Sequence, residues 1–82
     1  NELNDVEKIS KNFLNLKNKI KYTKNINQFL QKTKKDFESL FNIKIEYLEN
    51  RHTNDLSLSN KYNGSKIFLA YYYKGVRLID NF

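Results

Sequence analysis

Apolar positions along the chain fall into six segments, two with helical spacing and four that alternate. Val6, Ile9, Phe13, Leu16 and Ile20 recur every three or four residues, with Lys8, Lys11, Asn15, Asn18 and Lys19 opposite them, which predicts a helix over about 4–22. Asn4 and Glu7 have capping-box spacing at its start. Leu3 and Leu14 fall off the stripe. After the short polar link Thr23-Lys24-Asn25, the residues Ile26, Phe29, Leu30, Thr33, Phe37, Leu40 and Phe41 form the apolar side of a second helix over about 26–41. Asn25 and Gln28 again have cap spacing, and Asn42 suits a left-handed terminator. So short a link makes the helices antiparallel neighbours.

The second half alternates instead. Ile43, Ile45 and Tyr47 against Lys44 and Glu46 predict a strand over about 43–48, with Leu48 breaking the pattern. Leu56, Leu58 and Tyr62 predict a second over 56–62. The Asn63-Gly64 pair reads as a type I′ turn into a third over 65–73, and Lys74-Gly75 as a turn into a fourth over 76–80. In that register Leu58 faces Leu69 and Leu56 faces Tyr71, while across the second turn Tyr71 faces Leu78 and Tyr72 faces Arg77. The predicted fold is α+β: one domain over 1–82, with two antiparallel helices packed on one face of a four-stranded antiparallel sheet of PAS-like or related type. Phe68, Tyr72, Arg77 and Ile79 then share the far face, a cluster with the composition of a subunit contact, which predicts a homodimer.

Composition adds a bias. The chain holds thirteen Lys against two Arg, thirteen Asn, seven Ile and no Pro, Cys, Met or Trp, and its net charge is +6. The abundant residues are those with AT-rich codons, so the lysine excess reads first as the imprint of an AT-rich bacterial genome. Nine lysines and no acid lie between Lys8 and Lys35. Lys24, Lys32 and Lys35 are the candidate anion-facing residues, toward an anionic ligand or membrane surface. Without cysteine there is no disulfide framework, and one histidine with no cysteine makes no typical zinc site. Both glycines are better used in turns than in a phosphate loop, and no cofactor is expected. Starting at Asn1 with no methionine, the chain reads as an excised domain or processed product.

Six reversing segments bring the two ends of the chain to one side, as a domain inserted between membrane helices requires. With its long amphipathic first helix, second helix and terminal antiparallel sheet, the chain resembles the extracytoplasmic sensor domains of bacterial two-component histidine kinases. The resemblance implies a noncatalytic, membrane-tethered, dimeric sensory domain on the periplasmic side of a membrane, with a cytoplasmic placement as the alternative. It puts no residue in a ligand site.

Two other classes compete. Helices followed by an antiparallel sheet also look like compact bacterial toxin ribonucleases, for which Glu46, His52, Lys61, Lys66 and Arg77 are the available groups, and noncatalytic binding of nucleic acid belongs with that reading. A structural or protein-interaction module is the third.

Overall fold

The computed structural model describes residues 2–82, with side chains from Asp5 onward. Two helices, α1 (Glu2–Ile20) and α2 (Ile26–Phe41), precede three strands, β1 (Lys44–His52), β2 (Ser65–Tyr73) and β3 (Val76–Asn81). The sheet is antiparallel with β2 in the centre. It has three strands, not the expected four.

The helical stripes meet the sheet as their spacing requires. Ile9, Phe13, Leu16 and Ile20 of α1 and Ile26 and Leu30 of α2 are buried with Ile45, Leu48, Ile67, Leu69 and Tyr71. Phe13 sits at the centre, its ring 5.2 Å from both Phe37 and Tyr71. Burying a side chain of that size contributes about 1.5–3 kcal/mol. Leu40, expected on the buried side of α2, is 71% exposed, whereas Phe41 next to it packs against the core. Asn42 ends α2 in the left-handed conformation, its N–H donating to the Glu38 carbonyl.

The expected helix starts differ in detail. Asn4 lies inside α1, and its side chain is outside the described residues. Asn25 makes no side-chain cap. Instead the N–H of Asn27 donates to Oδ1 of Asn60, 3.0 Å away, so a distant loop residue satisfies a donor at the start of α2.

The missing strand is the largest correction. Segment 56–62 does not pair with β2; β1 does, in the register Ile45 to Tyr71, Leu48 to Leu69 and Asn50 to Ile67. Leu48, which breaks the sequence alternation, follows a bulge between Ile45 and Tyr47 that shifts the inward phase to Leu48 and Asn50. The strand thus runs on to His52. Segment 53–64 becomes its loop to β2, closed by the Thr53 N–H on the Gly64 carbonyl at 3.0 Å. Leu56 adopts φ +61°, incompatible with an extended strand, and Leu56 and Leu58 are 53% and 56% exposed. Asn63 is not among the residues of positive φ, so Asn63-Gly64 is not a type I′ turn.

Lys74-Gly75 behaves as expected, with φ +48° and +83°. Beyond it Tyr71 pairs with Leu78, Tyr72 with Arg77 and Ala70 with Ile79.

An odd number of elements also separates the ends of the chain. Lys17, near the C-terminal end of α1, donates to the carbonyl of Phe82 at 3.3 Å, whereas Asp5, near the other end, accepts from the Tyr73 hydroxyl at 2.9 Å. A helix of 19 residues rises about 28 Å, so the expected meeting of the two ends does not occur.

Candidate functional site

On the helix-facing side of the sheet, β3 carries Val76, Leu78 and Asp80 in one phase, since these pair with the inward residues Tyr73, Tyr71 and Leu69. The third member of that apolar row is a carboxylate. Between β3 and α1 lies a cleft of about 150 Å³ lined by Val6, Ser10, Phe13, Tyr71, Leu78 and Asp80, among others. The Ser10 and Tyr71 hydroxyls both line it. Burial, with a smaller contribution from the Asp80 charge, pushes the Tyr71 hydroxyl above its ordinary value, so it stays protonated at neutral pH. Oδ1 of Asp80 accepts the N–H of Asn81 at 2.8 Å. The cleft therefore combines apolar walls, two hydroxyls and one carboxylate. That set suits the ammonium end of a small molecule.

A second cleft, about 250 Å³, lies on the other side of α1 between Asp5, Lys8, Ile9, Leu40, Phe41 and Tyr73. A third depression, about 320 Å³, opens on the far face between Tyr47, Glu49, Arg51, Leu56 and Phe68. It is the largest of the three, but its charged groups already serve one another, Arg51 bonding Glu49 at 3.1 Å and the Leu56 carbonyl at 2.6 Å.

The expected interface residues do share a face. Phe68 is half-buried there, the Tyr72 hydroxyl donates to Oε1 of Glu46 at 3.0 Å, and Arg77 bonds the same carboxylate through Nη2 at 2.7 Å and Nε at 3.1 Å. Arg77 and Tyr72 hold the Glu46 carboxyl below its ordinary value. Ile79 is 60% exposed. Lys24 precedes α2, while Lys32 and Lys35 lie exposed along it, forming an open strip and no pocket.

Of the ribonuclease set only Glu46 and Arg77 come together, paired at 2.7 Å. Glu46 and His52 sit near opposite ends of β1, six residues or about 20 Å apart. Lys61 is in loop 53–64 and Lys66 begins β2, opposite Arg51. His52, Lys61 and Lys66 therefore cannot join the Glu46–Arg77 pair on one phosphate.

Sequence reasoning passed over Ser10, Tyr71 and Asp80 as a group. Asp80 was the readable signal, a charge in phase with Val76 and Leu78. Nothing in the sequence placed α1 beside β3. Among the described residues no three His, Cys, Asp or Glu are grouped to hold a metal.

The model of the pantoate-beta-alanine ligase family matches residues 1–82. The chain belongs to the pantoate-beta-alanine ligase family. No curated protein and no solved structure matches it. Membership in a ligase family overturns the expectation of a noncatalytic histidine-kinase sensor, and the nucleic-acid and interaction-module alternatives do not fit it either. The periplasmic placement falls with the sensor, and the cytoplasmic alternative fits the family. No helix among the described residues is long and apolar enough to cross a membrane.

Proposed function

We propose that this chain serves a carboxylate–amine ligation of the kind its family name describes, and that the cleft between α1 and β3 receives the amine. The supporting observation is the Asp80 carboxylate on the otherwise apolar inward row of β3, beside the Ser10 and Tyr71 hydroxyls. β-Alanine is a short zwitterion whose ammonium needs an anion and hydrogen-bond acceptors at close range. Asp80 supplies the charge and the hydroxyls supply acceptors. Asp80 stands exposed at the mouth of the cleft, where it can meet the ammonium, and Val6, Phe13 and Leu78 form the apolar wall behind it. The cleft volume excludes large amines.

Titration of the chain with β-alanine, followed through the amide resonances of Ser10 and Asp80, tests this. Saturable shifts are expected with β-alanine and not with propionate, which lacks the ammonium. Asp80→Asn should weaken binding at least tenfold, about 1.4 kcal/mol. Equal response to propionate, or an unaltered D80N titration, would remove the amine from this cleft. Tyr71→Phe tests the hydroxyl contribution, with a smaller loss expected.

A further inference from the structure

We infer that Asn63 is a self-modifying position: its side-chain amide is lost through a cyclic imide formed with the Gly64 nitrogen, leaving aspartate or isoaspartate in the loop that enters β2. The amine cleft plays no part in this.

Asn63-Gly64 has the sequence of a hairpin turn, yet the structure uses it as the exit of loop 53–64. Both residues are exposed. The backbone is held on either side of the bond between them, Oγ of Ser65 donating to the Tyr62 carbonyl at 2.7 Å and the Thr53 N–H donating to the Gly64 carbonyl at 3.0 Å. Between these anchors, among the described residues, no partner engages the Asn63 amide and no acceptor takes the Gly64 N–H. The two reacting groups are free to meet.

Glycine decides why this asparagine reacts and not another. A side chain on the following residue would shield the attacking nitrogen, and glycine has none. Of the thirteen asparagines only Asn63 precedes a glycine. A Cβ added at Gly64 would meet nothing within 4 Å, so the ring has open space in which to form. Asn27 and Asn50, by contrast, are held by their own side-chain hydrogen bonds.

Charge favours the step. The Gly64 nitrogen gives its proton to hydroxide before it attacks, so negative charge develops at the turn. Lys17 lies over the Tyr62 ring at 5.0 Å and donates to the Ser65 carbonyl at 3.2 Å, while Lys61 and Lys66 flank the pair in sequence. These cations stabilise the anion, and afterwards the carboxylate that replaces the amide. The nitrogen bonds to Cγ of Asn63, the Cγ–Nδ2 bond breaks, and the amide nitrogen leaves as ammonia with a proton taken from water. Water then opens the imide. Attack at Cγ gives aspartate, whereas attack at the main-chain carbonyl of residue 63 gives isoaspartate, whose main chain runs through Cβ and Cγ. The added methylene lies between the Tyr62 and Gly64 anchors and loosens the loop.

Incubation of the folded chain in mildly alkaline buffer, followed by tryptic mapping, tests this. Peptide 62–66 should gain the mass of amide-to-acid conversion at a rate that rises with pH, and should accept labelled methyl groups from a protein isoaspartyl methyltransferase. Asn63 should convert at least about tenfold faster than any other asparagine, and Gly64→Ala should slow it by at least about tenfold. Asn63→Gln, which leaves the backbone as it is, should abolish the methyl label. The isoaspartyl fraction, separated by ion exchange, should show faster amide exchange across 53–64 than the unmodified chain. Conversion in the urea-unfolded chain but not in the folded one overturns the inference, because the fold would then protect the pair. So does a second asparagine that converts as fast, or a rate indifferent to Gly64→Ala. Unchanged amide exchange in the isoaspartyl fraction would overturn the loosening of the loop.

Discussion

β2 is entered and left through a glycine of positive φ, yet the two connections are built by different physics. At Lys74-Gly75 the backbone alone makes the turn: two successive residues of positive φ reverse the chain, and the strands on either side pair at once. At Gly64 the glycine only finishes loop 53–64, whose shape is set by side chains from elsewhere. Asn50, fully buried on β1, donates through Nδ2 to the Ser59 carbonyl at 3.0 Å, to Oγ of Ser65 at 3.0 Å and to the Lys61 carbonyl at 3.4 Å. Asn27 of α2 joins the loop backbone on the outer edge of β1: its Oδ1 accepts the N–H of Asn50 at 2.8 Å, its Nδ2 donates to the carbonyls of Asn50 and Ser59, and the Ser59 N–H donates to the Asn50 carbonyl at 2.9 Å. A turn specified by its own two residues takes its shape from the local backbone. A loop specified by asparagines on a helix and a strand cannot.

Replacing Asn50 is the harshest way to break that contrast. Asn50→Ala removes three hydrogen bonds made by one buried amide, although the Ser59 carbonyl keeps Nδ2 of Asn27 and the Lys61 carbonyl keeps the Ser59 and Ser65 hydroxyls, and should cost about 1–3 kcal/mol in urea unfolding. Amide exchange should rise across 53–64 and not at the β2–β3 turn. Oδ1 of Asn50 has no protein partner, so the hydrogen-bond part of the effect belongs to Nδ2. Asn50→Asp removes that donor while nearly keeping the shape, and should be no milder.

Glycine replacement sharpens the comparison by giving equal results at the two sites. An added Cβ meets nothing within 4 Å at Gly64 or Gly75, so each Gly→Ala change carries only the strain of positive φ, about 1 kcal/mol. If Gly64→Ala costs as much as Asn50→Ala, the loop is held by its glycine and the contrast fails.

The smallest expected effect is a gain. Leu56 holds φ +61° with its side chain about half exposed, and Leu56→Asn should raise stability by about 0.5 kcal/mol by easing that strain. Alkaline pH gives a control outside both connections. Because burial raises the Tyr71 pKa in the fold, its contribution to stability is complete below pH 10.0 and is lost as pH rises through the folded value. Melting temperature should therefore fall at that end of the scale, and Tyr71→Phe should flatten the fall.

Much of the local structure was legible. The stripes of α1 and α2 and the left-handed Asn42 follow from spacing and from one residue's tolerance of positive φ. So does the β2–β3 register, which a turn of two residues fixes. The candidate site was legible only through Asp80, whose strand phase needs no tertiary information. The failures share one cause. Leu48 looked like the end of a strand because a bulge and a break give the same interruption in alternation. Leu56, Leu58 and Tyr62 looked like a strand because alternation records the sequence and not which neighbour supplies the hydrogen bonds.

The sequence by itself determined both helices, their buried stripes and the tight turn before β3, because each depends on forces between residues a few positions apart. The tertiary structure decided that β1 pairs with β2, that 53–64 is a loop, that Ser10 and Tyr71 meet beside Asp80, and that the chain's ends lie apart. Each of these rests on contacts between residues distant in sequence, such as Asn27 with Asn50 and Lys17 with Phe82. The cost of leaving a buried polar group unpaired selects among such contacts, and that cost exists only once the groups are buried together.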